Sequence, residues 1–250
     1  MAWTIVGLGT QTDTTVSGGN LTLDENASTT QGDLIVACIA YRSNAPFTLP
    51  AGWSLVATQQ SSGDIDATGG IASGLMAYIV RGASAPDFTF TRTGGDVARG
   101  RTITYRGNTS TPYDTGNAAT LGAVGEPSLA EISTVAASEL LVAMVAHGDN
   151  SSTDTFDAVT APSVASGATD TTTNPTDDTW IERQDAGTNT GADTGLFIAD
   201  GVKVASGATG AFSALAVTNS RSVTIVGAFK QPGSSASASV SPSASASASI

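Results

Sequence analysis

The chain has 250 residues and a formal net charge of −12, with charged residues at 13% against roughly 25% in an average soluble domain. That length suits one large domain or two small ones, and it is enough to bury a real core. That acidity argues against binding a nucleic-acid backbone, which needs a clustered cationic face, and no apolar run approaches the roughly 18 residues of a membrane-spanning helix.

In chain order, Met1–Gly7 lacks a charged segment followed by an apolar one, so no secretory signal is expected and synthesis in the cytosol is. Leu34–Tyr41 is a continuous apolar run, as a strand buried on both faces requires. Cys38 lies inside it as the only cysteine, which excludes an internal disulfide and predicts an inert, buried thiol. Pro50–Trp53 and Gly94-Gly95-Asp96 punctuate as turns, and strands are expected at Gly74–Arg81, Asp87–Arg92 and Arg101–Arg106. Thr109–Glu126 reads as a connecting loop. A second apolar run follows at Leu140–His147, then strands at Gly195–Val204, Gly210–Val217 and Ser222–Lys230. No long window carries a 3.6-residue apolar period, so almost no helix is expected. From Gln231 the chain becomes a Ser/Ala alternation with nothing large enough to bury.

The chain also repeats itself. Gly32–Tyr41 matches Ser138–His147 position by position, Trp53 answers to Trp180, and Ser73-Gly74-Leu75-Met76 answers to Thr194-Gly195-Leu196-Phe197. The units close on Tyr105-Arg106-Gly107 and on Phe229-Lys230. The organisation expected is a first β repeat over 1–108, a connecting loop over 109–126, a second β repeat over 127–230 and a low-complexity tail over 231–250. A unit of so few strands cannot cover both sides of its own sheet. The expected fold is therefore all-β, an antiparallel, jelly-roll-like β-sandwich in which the repeats share one core, with two separate small barrels as the alternative.

Few residues suit chemistry. His147 is the only histidine and occupies the repeat position of Tyr41, which is unsuitable for a general base. Of the five glutamates, Glu139 matches Asp33 at the mouth of a buried strand, where a turn cap is expected, and the others are scattered. Zinc is excluded by the absence of a Cys/His cluster. Calcium stays open at Asp149, Asp154, Asp157, Asp177 and Asp178, beside an insertion rich in Asp and Thr. Trp53 and Trp180 could stack on sugars, but their matched repeat positions favour packing. No catalytic, cofactor-binding or metal residue is assigned, and no enzyme activity is expected.

Charge is uneven. Between Asp149 and Asp200 nine Asp and one Glu face one Arg, and between Arg81 and Arg106 five Arg face two Asp. Solvated loops are one reading, and complementary patches that pair between copies are the other.

The Gly32–Ala40 run, the Pro-Ala-Gly-Trp-Ser-Leu-Val segment at 50–56 and the unit ending Thr104-Tyr105-Arg106-Gly107 together resemble phage and prophage virion structural proteins of the tail, fibre or capsid-decoration type. A Ser/Ala/Pro tail such as residues 234–250 adds to the resemblance, which covers about residues 20–230. It implies a virion location and a role in subunit contacts, with copies of the chain and other virion proteins as partners. A carbohydrate- or receptor-binding β-sandwich on a host-surface glycan is the alternative. It offers no catalytic residue to carry over, and neither nucleic acid nor membrane is an expected partner.

Overall fold

The computed structural model describes residues 2–14, 19–60, 71–121, 128–129, 131–148, 156–159, 173–177, 180–187, 194–209, 212–216 and 221–232. Every regular element among them is a strand. The first half forms β1 (Thr4–Leu8), β2 (Thr12–Thr14), β3 (Leu21–Thr22), β4 (Leu34–Tyr41), β5 (Ser54–Gln60), β6 (Ser73–Val80), β7 (Thr89–Phe90) and β8 (Ala98–Arg106). The second forms β9 (Tyr113–Leu121), β10 (Ser128–Leu129), β11 (Ser133–Thr134), β12 (Glu139–Gly148) and β13 (Phe156–Val159). It continues with β14 (Ile181–Gly187), β15 (Thr194–Lys203), β16 (Gly207–Ala208), β17 (Phe212–Ala216) and β18 (Arg221–Phe229).

Two antiparallel sheets dominate. One runs β1-β8-β4-β6-β5, with β2 also on β8, and the other runs β9-β18-β12-β15-β14. In each, the opening strand lies beside the closing strand, then comes the apolar strand, then a hairpin pair. Each sheet takes all its strands from one half of the chain, so no strand crosses between them as in a jelly roll. The bulges agree as well. Val6 is the extra residue of β1 and Asp114 that of β9, while Val56 is the extra residue of β5 and Arg183 that of β14. A bulge bends its strand and re-aims a side chain. In the first half both bulge residues are valines; in the second both are charged.

The sheets pack on each other through one core. Leu34, Val36, Cys38 and Ala40 of β4 meet Leu140, Val142, Met144 and Ala146 of β12, with Tyr105, Ile198, Ile225 and Phe229 around them. The alternate residues of each central strand point outward and are covered too. Ile35, Ala37, Ile39 and Tyr41 lie under Leu21, Trp53, Phe88 and Phe90, and Leu141, Ala143 and Val145 lie under Ile132 and Trp180. The β3–β7 ribbon supplies Leu21 and Phe90 to the first lid, and Ile132 of the second stands just before β11. Burial on both faces is why β4 and β12 are uninterrupted apolar runs instead of alternating ones.

Three expectations need correction. Thr109–Glu126 is not a plain loop, because β9 occupies most of it and pairs along β18, which starts the second sheet at Tyr113 and not after residue 127. Its Asp-Thr-Gly-Asn-Ala-Ala-Thr core lacks large apolar residues because β9 ends its sheet path, with β18 as its ladder partner. The strand expected over Asp87–Arg92 is reduced to Thr89–Phe90. The ladders also shift one repeat landmark. Cys38 faces Met76 and Met144 faces Ile198, so Met76 answers to Ile198, one residue beyond the sequence match with Phe197. A slip of one residue turns a side chain to the other face, and an apolar strand hides such a slip in sequence. The Ser/Ala-rich tail lies outside the described residues from residue 233 on.

Each apolar strand is entered through a residue with positive φ. In the first half this is Gly32, at 93°, whose N–H donates to the Arg81 carbonyl at 2.8 Å. In the second it is Ser138, at 58°, whose N–H donates to the Val204 carbonyl at 3.0 Å. A side chain in the left-handed region is strained, whereas glycine is not. Ser138→Gly is therefore expected to raise stability by about 0.5–1 kcal/mol in urea unfolding, and Gly32→Ala to lower it by about 1 kcal/mol although nothing crowds the added methyl.

Candidate functional site

The polar groups most able to do chemistry converge on the seam between the sheets. Arg183, turned inward by its bulge, donates from Nε to Asp200 Oδ2 at 2.7 Å and from Nη2 to Asp200 Oδ1 at 2.8 Å. Tyr105, from the opposite sheet, donates its hydroxyl to the same Asp200 Oδ2 at 2.7 Å. Arg183 Nη2 also donates to the Thr173 carbonyl at 2.7 Å. All three side chains are fully buried. Burial drives the Tyr105 hydroxyl far above its ordinary range, and the Asp200 charge adds to the shift. The phenol therefore acts as a fixed donor. A bidentate guanidinium–carboxylate pair with a third donor satisfies both charges in a dry core.

Further bonds cross the seam at its margin. Trp3 Nε1 donates to the Ser138 carbonyl at 3.0 Å, and the Ile5 N–H donates to Asn174 Oδ1 at 3.0 Å. Arg101 Nη1 donates to Gln184 Oε1 at 2.5 Å, while Gln184 Nε2 donates to Gln11 Oε1 at 2.5 Å. On another margin the rings of Tyr78 and Tyr113 stack at 5.5 Å, with Phe229 edge-on to Tyr78.

The mouths of the two apolar strands carry matched acids. Asp33 Oδ2 accepts the Thr30 N–H at 2.8 Å, and Arg106 grips both Asp33 oxygens at 2.8 Å. Burial pushes the Asp33 carboxyl up, but the Arg106 and Thr30 hydrogen bonds together outweigh it and hold the group below its usual range. Glu139 Oε1 likewise accepts the N–H three residues back, from Ala136 at 2.8 Å. Both acids are turn caps. Their environments differ: burial raises the Glu139 carboxyl to about 7, and Asp114 adds to that rise against the Ala136 N–H and Lys230.

The remaining candidates are framework residues. Cys38 is fully buried, and burial pushes its thiol far up. His147 is buried at the end of β12, where its carbonyl accepts from Thr194 Oγ1 at 2.9 Å. Trp53 donates from Nε1 to the Asp87 carbonyl at 2.8 Å and packs edge-on to Phe88 and Phe90; it and Trp180 are buried, with no face free to stack on a sugar. Tyr41 is pushed up to about 12 by burial, against the opposing effect of Arg92, whose guanidinium lies 4.7 Å from the Phe47 ring centre.

Comparison with protein-family models, with curated proteins and with solved structures finds no match. The site is therefore read from its own geometry.

The arginine-rich segment is not a free basic patch. Arg81 pairs with Glu25, Arg99 with Asp13 and Arg106 with Asp33, each acid lying outside the 81–106 window. The balance read along the chain is answered in space by these three acids. On the acidic side, Asp200 is buried in its ion pair, while Asp149, Asp154 and Asp178 lie outside the described residues. Among the described residues no three metal-type ligands come together.

Sequence reading missed Arg183, Asp200, Asp114 and Trp3. The available signal was departure from the repeat: Arg183 stands three residues after Trp180, where Val56 stands three after Trp53. Asp200→Asn, which removes the buried carboxylate that Arg183 grips with two hydrogen bonds, is expected to cost about 3–5 kcal/mol in urea unfolding. The triple change Tyr105→Phe, Arg183→Met, Asp200→Leu is expected to recover most of that loss, since an apolar set removes the desolvation penalty with the charges.

Proposed function

We propose that this protein is a non-enzymatic virion structural component, of the capsid-decoration, tail or fibre kind, acting through contacts with copies of itself and with other virion proteins. The observation that supports this best is where the chemically capable side chains stand. Cys38, His147, Glu139, Arg183 and Asp200 are sealed into the framework, as cap, ion pair or packing, and each has a structural task or a buried place. The resemblance of the 32–40, 50–56 and 104–107 segments to virion proteins supplies the setting.

What lies outside suits contacts with neighbours. Among the described residues the sheet paths end on β1 and β5 and on β9 and β14, and edge strands are templates for further pairing. Among the described residues Leu55 on β5, Val135 and Val204 are the large apolar side chains left exposed, at 45%, 52% and 39%. Such residues are natural material for the middle of an interface.

Light scattering on the purified full chain is the direct check. A defined multiple of the chain mass is expected, falling on removal of residues 233–250. A monomer at every concentration, together with specific retention on a glycan array, would replace this reading with the carbohydrate-binding one.

A further inference from the structure

The two acid caps are equivalent in position but not in charge. In the first half one carboxylate, Asp33, is matched by one guanidinium, Arg106. In the second, Lys230 takes the place of Arg106 and Asp114 enters from its bulge as an additional acid. Asp114 Oδ2 accepts the Val135 N–H at 2.9 Å, and Glu139 Oε1 accepts the next N–H along, that of Ala136, at 2.8 Å. Two carboxyl groups thus cap adjacent amides of one turn. Both are shielded, Asp114 at 4% side-chain exposure and Glu139 fully. Lys230 Nζ reaches Asp114 Oδ1 only at 3.8 Å, and Glu139 Oε2 is buried with no hydrogen-bond partner among the described residues.

The charged groups around Glu139 are Asp114 from β9, Lys230 just past β18, and Lys203, its ladder partner on β15. The ion pair in this cluster, Lys230 with Asp114 at 3.8 Å, goes to Asp114 and not to Glu139. Two buried carboxylates are unfavourable where the close ammonium contact, Lys230, goes to one of them at 3.8 Å, and a carboxylic acid beside a carboxylate is less so.

We propose that Glu139 holds a proton beside the Asp114 carboxyl, and that its loss as pH rises releases the Val135–Ser138 turn as a latch. The latch holds more than itself. Ser138 is the strained entry to β12, and its carbonyl receives the Trp3 indole N–H that ties the start of the first sheet to the second. With both carboxyls charged, opening this turn lets water reach them. The exposed Val135 side chain sits on the same turn, so the surface offered there changes with it.

The sign follows from the Glu139 carboxyl, ordinarily at 4.5 and raised to about 7 in the fold. Between those values the folded chain holds a proton that the unfolded chain has lost, so stability falls as pH rises through the window and levels off above it.

Amide hydrogen exchange of the peptide spanning 131–138, corrected for the intrinsic pH dependence of exchange, tests the latch on the full chain. Protection is expected to drop about tenfold or more between about pH 5 and about pH 8.5. In Glu139→Gln, protection is expected to persist at both pH values. In Asp114→Asn, which removes the like charge and leaves an amide oxygen to cap Val135, the drop is expected to move to lower pH. Wild-type protection that is the same at both pH values overturns the proposal. So does a drop of equal size in Glu139→Gln, and so does an unmoved midpoint in Asp114→Asn.

Discussion

Strands β4 and β12 face each other across the core, and each is buried on both of its faces. A strand in that position cannot alternate apolar with polar residues, so it demands a lid on its outer side as well as a partner sheet on its inner one. The β3–β7 ribbon, Trp53 and the Phe88–Phe90 segment meet that demand in the first half, and Ile132 and Trp180 in the second. Fully burying an aliphatic side chain is worth about 1.5–3 kcal/mol, and Leu34, Ile35, Val36, Ile39, Leu140, Val142 and Val145 are all buried completely. The layered core is thus the source of stability, and the rest of the fold serves to keep water from two strands.

Against this apolar background the bulges carry the departures from symmetry. The two sheets share strand order and bulge positions, yet Val6 and Val56 are replaced in the second by Asp114 and Arg183. A bulge residue is re-aimed out of the ladder, so a charge placed there can reach a partner that no regular strand position could serve. Arg183 reaches Asp200 and, through it, Tyr105 on the facing sheet. Such a buried pair adds little net stability, because desolvation offsets Coulomb attraction. It does penalise every packing of the sheets that separates the three groups, a constraint that the surrounding aliphatic side chains, being non-directional, do not impose.

The same internal bookkeeping of charge bears on assembly. Arg81, Arg99 and Arg106 are answered by Glu25, Asp13 and Asp33, each distant in sequence and close in space. On the proposed reading, contacts between copies would rest on edge strands and exposed apolar residues, and salt would favour them by screening the repulsion between chains of net charge −12. The turn bearing Val135 is where a surface of that kind meets a titrating group.

Sequence alone determined that the chain is all-β, that Leu34–Tyr41 and the run beginning at Leu140 are doubly buried strands, and that Glu139 and Asp33 cap turns. These readings rest on local patterns, on the length of an apolar run or on a repeat position, and local patterns survive folding. It did not show β9, whose small polar residues look like a loop because β18 supplies its ladder partners, nor the one-residue slip between Met76 and Phe197. Nor did it show the pairing of Arg183 with Asp200 and Tyr105, or of Asp114 with Glu139. Those relations join residues brought together by the closing of one sheet on another and by bulges that turn a side chain inward. Only the tertiary structure decides them, because a charge acquires its partner, and a carboxyl its proton, from distances that the order of residues along the chain does not contain.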